Sequence, residues 1–544
     1  RQTRTPPRSR MVSMPGHLFV IRGDLTQLAC DGWLLPTDEA LHVTPSWWRD
    51  LALRAALERA GARPSLASEG PWALPFASGP RSVAVPDAPG PRPYFTWIGA
   101  GGEPVEWYLD GVRAFLAAAT TADAPRFLPG RARRLLGVPV VGTGFGGMGH
   151  VAGRIHDHLL PMLAEEARRL DVDVALVCAD EAHYAAAQAT RRRLSREPGV
   201  DLWPELDAAS TARARQLAHD AANAHLVLFL GAGVSMGAGL PSWTALLSQL
   251  ACEAGLSADE LRAYQDLSAL DRAQFVGERL RQQGGERGVG EEVRALFARH
   301  RHHGLAHGLL AGLPVAETIT TNYDTLFERA SAGAGHPHVS VLPYAPTRHG
   351  TRWLLKMHGC IEHPEDIVLT REDYLRYVER NAALAGIVQA MLLTKHMLFV
   401  GFSLEDDNFL RIVDAVRRAV RGWGSPRAGR GEGNLLGCAL MTRGHPLLET
   451  LWSRDLPWVC PGGREAETPE GARAVEIFLD LLAHHASSHG HLLDGRFDDV
   501  LDAPERALRD ALRHLAHDAV RYEGAPAWRS VRALLRTLGQ PGGE

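Results

Sequence analysis

The chain has 544 residues, and at roughly 100 to 200 residues per domain that length excludes a single-module protein. Hydrophobic residues make up 45%, charged residues 22% and aromatic residues 7%, which excludes a disordered or fibrous chain. With 59 Lys plus Arg against 63 Asp plus Glu the net charge is −4, without the basic excess of a dedicated nucleic-acid binder.

Residues 1–16 read as a disordered tail. His17 to Arg22 then predicts a strand, Gly23-Asp24 a turn, and Gly32 to Pro36 a second strand. Pro- and Gly-rich sequence from Pro64 to Pro93 predicts long loops, followed by a strand at Tyr94 to Ile98 and a helix at Val105 to Thr121. Next come a strand at Gly137 to Gly142, a glycine loop to Gly149, a helix at Ile155 to Leu170, a buried strand at Val172 to Cys178 and a helix at Ala182 to Leu194. The pattern lapses at 198–209, which reads as the linker between a first module, 17–197, and a second, 210–486.

In the second module, the apolar strand His225 to Leu230 runs into a glycine loop, and helices fill Thr244 to about Leu313. Strands at Thr318 to Thr321, Trp353 to Met357 and Met397 to Phe402 alternate with helices starting at Thr325 and spanning Glu372 to Leu393. Strands separated by helices predict a parallel, doubly wound α/β sheet. Gly437 to Met441 and Trp458 to Cys460 extend it, and Ala472 to Ala483 and Pro504 to His517 have amphipathic helical spacing. Residues 487–544 form a C-terminal helical region that carries no motif and either serves assembly or caps a sheet.

Six cysteines without a Cys-x-x-Cys pair indicate neither a disulfide scaffold nor a four-cysteine zinc site. No stretch approaches the roughly 20 apolar residues of a membrane span, so no membrane partner is expected and the cytoplasm is the expected location.

Chemistry concentrates at strand ends. Leu230-Gly231-Ala232-Gly233-Val234-Ser235 is a buried strand emptying into small residues, which lets backbone N–H groups approach a diphosphate. The same junction also reads as a tight turn that needs glycine only for steric reasons. Three further segments fall at strand ends: Thr320-Thr321-Asn322-Tyr323-Asp324, Lys356-Met357-His358-Gly359, and Gly401-Phe402-Ser403-Leu404-Glu405-Asp406-Asp407-Asn408.

In order and kind, these four segments resemble the sirtuin family, closely over residues 221–413. That resemblance implies a Rossmann-type fold with a helical insert and NAD+ as substrate. Gly231, Ala232, Gly233 and Ser235 would then hold the NAD+ diphosphate, with Gly239 and Pro241 shaping the adjoining loop. Gly401 and Ser403 would form the second dinucleotide-contacting loop, with Asn408 just beyond it. Thr321, Asn322 and Asp324 would lie beside the nicotinamide and its ribose. The resemblance makes Asn322 and His358 the catalytic pair: Asn322 orients the ribose or a water, and His358 takes a proton.

Two departures separate this chain from the protein-deacylating sirtuins. Only 43 positions separate His358 from Gly401, with Cys360 alone among them, so no zinc module and no metal site are expected. Ser242-Trp243-Thr244 stands where those deacylases carry an aspartate-phenylalanine-arginine segment. Both features, and Leu369-Thr-Arg-Glu-Asp-Tyr374, resemble bacterial sirtuin-like effectors of anti-phage defence, which hydrolyse NAD+ and imply a homo-oligomer. The alternatives are an NAD-dependent deacylase or ADP-ribosyltransferase, and a non-catalytic NAD+ or ADP-ribose binding protein.

The first module resembles a macrodomain, through Ile21 to Thr26, Val138 to Met148, and Val174 to Cys178 leading to Tyr184. By that pattern Asp24 and Leu25 meet an adenine, and Gly144, Phe145, Gly146 and Gly147 wrap a diphosphate. The resemblance implies an ADP-ribose-like or cyclic nucleotide activator. Leu35-Pro36-Thr37-Asp38-Glu39 replaces the family's asparagine-rich segment and speaks against ADP-ribosyl hydrolysis. The same segment also reads as an α/β scaffold that only packs on its neighbour.

Overall fold

The computed structural model describes residues 15–64, 79–99, 102–143, 148–283, 288–421, 436–453 and 455–540. Two α/β sheets lie in sequence, as the alternation of strands and helices predicts. The first contains β1 (Leu18–Arg22), β2 (Gly32–Thr37), β3 (Ser82–Ala84), β4 (Arg92–Trp97), β5 (Leu135–Pro139) and β6 (Asp173–Cys178). Its order is β1-β6-β5-β2-β4-β3, parallel except that β3 runs against β4. Helices Val105–Ala119 and Ala152–Leu170 cover one face with Tyr108, Phe115, Ile155 and Leu159, so that face of each strand is as apolar as the sequence suggests.

The second sheet contains β7 (Leu226–Leu230), β8 (Glu317–Thr320), β9 (Ser340–Leu342), β10 (Trp353–Lys356), β11 (His396–Val400), β12 (Gly437–Leu440) and β13 (Trp458–Val459). All are parallel, in the order β9-β10-β8-β7-β11-β12-β13. Strand order therefore reverses beside β7, which makes the crevice at the carboxyl ends of β7 and β11 the place where a doubly wound sheet takes a ligand. Leu230 is level with Thr320 and Val400, and Thr320 with Lys356, so the four motif segments leave the sheet along one edge.

The chain departs from the expected elements in three instructive places. The helix expected from Glu372 to Leu393 is two helices, Arg371–Arg380 and Ala382–Thr394, because Asn381 ends the first with φ −117° and ψ 22°. The strand expected to reach Phe402 stops at Val400, since Gly401 turns the backbone at φ +64°. Pro15 and Gly16 pack at the mouth of β1, where Arg473 donates to the Pro15 carbonyl at 2.6 Å.

The helix Thr468–Ala486 joins the two sheets. Its apolar side, with Ile477, Phe478 and Leu481, shares a core with Leu226, Leu228 and Leu309 of the second module and Phe19 and Ile21 of the first. Arg473, Glu476, Asp480 and His484, three or four residues apart, line the side facing the first module and are all buried. Arg473 pairs with Asp173 at 2.8 Å and Arg131 with Glu476 at 2.7 Å. Asp480 accepts from Arg191 Nη1 at 3.0 Å, Trp203 Nε1 at 2.8 Å and Val20 N at 3.2 Å, and His17 Nε2 lies 3.2 Å away. A charged seam is thus enclosed between modules, where burial calls for the partners these side chains give one another; Arg131 Nε finds none among the described residues.

Beyond this helix, Phe497 and Val500 pack on Ala152 and Ala186 of the first module, and Asp502 pairs with Arg196 at 2.8 Å. Of the two roles open to the C-terminal region, covering the first module is what this packing performs.

Candidate active site

Four segments converge at the carboxyl edge of the second sheet. Gly231 ends β7 and donates to the Val400 carbonyl at 3.0 Å, and Gly233 donates to the Gly401 carbonyl at 2.9 Å. The two loops touch so closely that a Cβ on Gly231 would lie 2.5 Å from Gly401 O, and one on Gly401 2.5 Å from Val234 N. Ala232, Gly233, Gly239 and Ser403 are exposed and Pro241 half-buried, leaving backbone rather than bulky side chains along the crevice.

The sirtuin resemblance puts NAD+ in this crevice, and on that expectation Gly401→Val should weaken NAD+ binding by about tenfold or more, because the added side chain must push apart a pair of backbones already in contact at a positive φ. Titration calorimetry on a His358→Ala background, where turnover does not interfere, measures it; unchanged affinity would separate the glycine loops from the ligand.

Beneath the loop the polar groups form one connected set. Asn322 Nδ2 donates to Gly231 O and to Ser235 Oγ, both at 3.0 Å, while Ser235 donates to Asp324 Oδ2 at 2.7 Å. Asp324 Oδ1 accepts from Leu326 N at 3.0 Å, just ahead of the helix Leu326–Gly333, whose N-cap is Thr325. Ser235 and Asp324 are buried, so their side chains tie the loops together, while Thr321 and Asn322 stay half-buried at the rim. His307 Nε2 approaches Ser235 Oγ at 3.4 Å, and burial pushes that imidazole down to about 4, so it is neutral.

Lys356, fully buried, donates to the Asp324 carbonyl and pairs with Glu328 at 2.9 Å. Burial works against its ammonium, yet the Glu328 charge keeps it above the ordinary lysine value.

His358 follows β10, is 3% exposed, and its Nε2 is buried without a hydrogen bond among the described residues. Burial lowers its proton affinity and the nearby Asp406 charge works the other way, with a net fall below 6.5, so the ring is a neutral acceptor at pH 7. Asn408 is also buried, and neither amide atom has a partner among the described residues. A buried amide without partners is costly, which suits a group that meets a ligand. Sequence reading assigned no role to His307, Lys356 and Glu328; the signal for the last two was a lysine in a chain with only two.

In the first module the Asp24 carboxylate accepts from Thr26 N at 2.9 Å and Thr26 Oγ1 at 2.7 Å, and Leu25 is buried. Gly144, Phe145, Gly146 and Gly147 lie outside the described residues. This turn touches the second module twice. A Cβ on Gly333 would lie 3.0 Å from Asp24 N. Ala29 N donates to His303 O and His303 N to Gln27 O, both at 2.8 Å.

Residues 316–429 match the SIR2-like domain family. The NAD(+) hydrolase ThsA of Enterococcus faecium is 35% identical over 200 residues, covering 36% of this chain and 40% of that protein. The NAD(+) hydrolase ThsA of Bacillus cereus (strain MSX-D12) is 33% identical over 199 residues, covering 35% and 40%. Defense-associated sirtuin 2 of Bacillus subtilis is 24% identical over 216 residues, covering 38% of this chain and 20% of its own. The chain thus spans about two fifths of the length of these ThsA relatives. The matched segment contains Asn322, Asp324, His358, Gly401, Ser403 and Asn408, while the Gly231 loop precedes it.

Proposed function

We propose, from the premise that the chain carries a SIR2-like domain, that this protein hydrolyses NAD+ to nicotinamide and ADP-ribose as an effector of anti-phage defence. The observation that carries this is the convergence of the Gly231 loop, Asn322 and neutral, buried His358 on the carboxyl edge of one parallel sheet. Nicotinamide in NAD+ is a cationic leaving group, so the bond to the ribose breaks with its electron pair passing to the pyridinium and little acid catalysis is needed. Water then adds to the ribose carbon and its proton passes to His358. The diphosphate lies along the Gly231–Ser235 loop, whose Gly231 and Gly233 N–H groups are spent on the Val400 and Gly401 carbonyls and so fix the loop's shape; Asn322 keeps the loop in place through Gly231 and Ser235, and Asn408 supplies an unpartnered amide.

Among the described residues no helix is long and apolar enough to cross a membrane, which is compatible with the cytoplasmic site of action proposed here. A homo-oligomer is proposed on the family resemblance alone.

An ADP-ribose-like or cyclic nucleotide at Asp24 is the proposed activator. Two contacts support it: the Asp24 turn abuts Gly333 at the end of the helix whose first residue, Leu326, donates to Asp324, and His303 precedes the helix bearing His307. Coupling of this kind is typically worth about 1 to 3 kcal/mol, or roughly 5- to 150-fold.

The test is NAD+ consumption with products resolved by mass spectrometry, with and without ADP-ribose, for wild type and Asp24→Ala. Free nicotinamide and ADP-ribose support hydrolysis, and stimulation lost in Asp24→Ala supports the sensor. An acceptor-dependent product would make the protein a transferase or deacylase. Binding without consumption in any state would make it a non-catalytic binder.

A further inference from the structure

The segment Leu369 to Tyr374 is left without a task by the chemistry above. Thr370 and Asp373 cap each other's backbone, which fixes the start of the helix Arg371–Arg380. Tyr374 and Tyr377, three residues apart, meet the His358 ring in T-shaped pairs with centroids 5.6 Å and 5.9 Å away. Tyr374 OH donates to Asp406 Oδ2 at 2.8 Å.

Asp406 precedes the helix Asp407–Arg421, and its Oδ1 accepts from Phe409 N at 2.8 Å. Its other oxygen, already held by Tyr374, faces His358 Nε2 at 3.5 Å. Two helix starts therefore place one carboxylate against a buried nitrogen that has no other partner among the described residues. Catalytic hydrogen bonds are often this long before substrate binds.

We propose that Asp406, held by Tyr374, is a positioning residue for His358: it fixes Nε2 as the protonated nitrogen and leaves Nδ1 to take the proton in the reaction. This rests on the hydrolytic role of His358 proposed above. The carboxylate also stabilises the imidazolium that forms, in the manner of the aspartate of a serine-protease triad. The titratable groups facing the ring among the described residues are Asp406, Tyr374 and Tyr377. Two positions back on the same segment, Lys356 turns its ammonium to Glu328. Burial and the Asp406 charge keep both phenols neutral, above the ordinary tyrosine value, so only Asp406 brings charge to the ring.

The experiment compares wild type, Asp406→Asn and Tyr374→Phe by kcat and KM between about pH 5 and 9, and by nitrogen-15 NMR of histidine rings, with His358→Gln identifying the His358 signals. Asp406→Asn is expected to lower kcat about tenfold or more, leave KM within about threefold, and move the acid limb of the profile to lower pH. In the spectra His358 loses its Nε2–H preference and its titration midpoint falls. Tyr374→Phe shifts both in the same sense by less, since a freed carboxylate wanders from the ring. An unmoved His358 tautomer and midpoint in folded Asp406→Asn would overturn the proposal. The NMR decides it even if no form consumes NAD+, a result that would instead defeat the hydrolytic reading.

Discussion

On the proposed hydrolysis, His358→Ala is expected to lower NAD+ turnover by about 10²- to 10⁴-fold, the range a general base supplies. The ring is the neutral imidazole at the edge where the Gly231, Asn322 and Gly401 segments meet, and burial keeps its proton affinity low enough to accept rather than carry a proton at pH 7. NAD+ affinity is expected to stay close to wild type, because the Gly231 loop is held by Asn322, Ser235 and Asp324 rather than by His358. Asn322→Ala behaves differently: it removes two hydrogen bonds on the glycine loop, so binding and turnover fall together. Single-turnover assays and calorimetry on both variants separate the two cases. A loss below about tenfold in His358→Ala would contradict the role assigned to it.

Asp480→Ala destabilises the protein by about 3 to 5 kcal/mol, the cost of leaving a buried charge without its partner. Arg191 would keep a buried guanidinium, and Trp203 Nε1 and Val20 N would lose their acceptor, all at the joint between the two modules. Thermal unfolding followed by circular dichroism should show a midpoint lower by on the order of 10 °C. Replacing Asp480 and Arg191 together by apolar residues should recover much of the loss, since burying neither charge avoids both desolvation costs. A loss under about 1 kcal/mol would mean that the seam does not hold the modules.

The pH dependence has a definite sign on each side. Burial would raise the Asp480 carboxyl, but Arg191 and the His17 contact hold it well below the usual range. Its contribution is present above the unfolded value of about 4 and is lost as pH falls toward the folded value. For His17 burial is outweighed by Asp480 and Glu205, and its proton affinity is raised above 6.5. That contribution is complete below about 6.5 and disappears as pH rises through the raised value. The gap between wild type and Asp480→Ala should therefore narrow below about pH 4 and, more gently, above neutrality.

How the fold was legible follows from how its elements bury surface. Leu226–Leu230 is buried on both faces, and such a strand writes itself as an unbroken apolar run, LVLFL, followed by the glycines its exit needs. The weaker strands Ser82–Ala84 and Ser340–Leu342, three residues at or beside sheet edges, carry too little pattern to be read. Asp406 was visible within Gly401 to Asn408 and Tyr374 within Leu369 to Tyr374. Nothing local says that two segments 32 positions apart share one hydrogen bond.

The sequence alone determined the α/β class, the parallel second sheet and the four strand-end motifs, because periodicity, glycine placement and polar residues after apolar runs are local facts. A glycine loop, Asn322 and His358, in that order, carry the resemblance on which the proposed chemistry rests. Only the tertiary structure decided which groups each motif serves. Ser235 and Asp324 turn inward to bind loops, and Arg473, Glu476, Asp480 and His484 are enclosed. In sequence those four residues are the polar side of an amphipathic helix, and polar spacing cannot distinguish water from an opposing module. That distinction depends on Asp173, Arg131, Arg191 and Gln188, up to 345 positions away, closing over the helix and replacing its water.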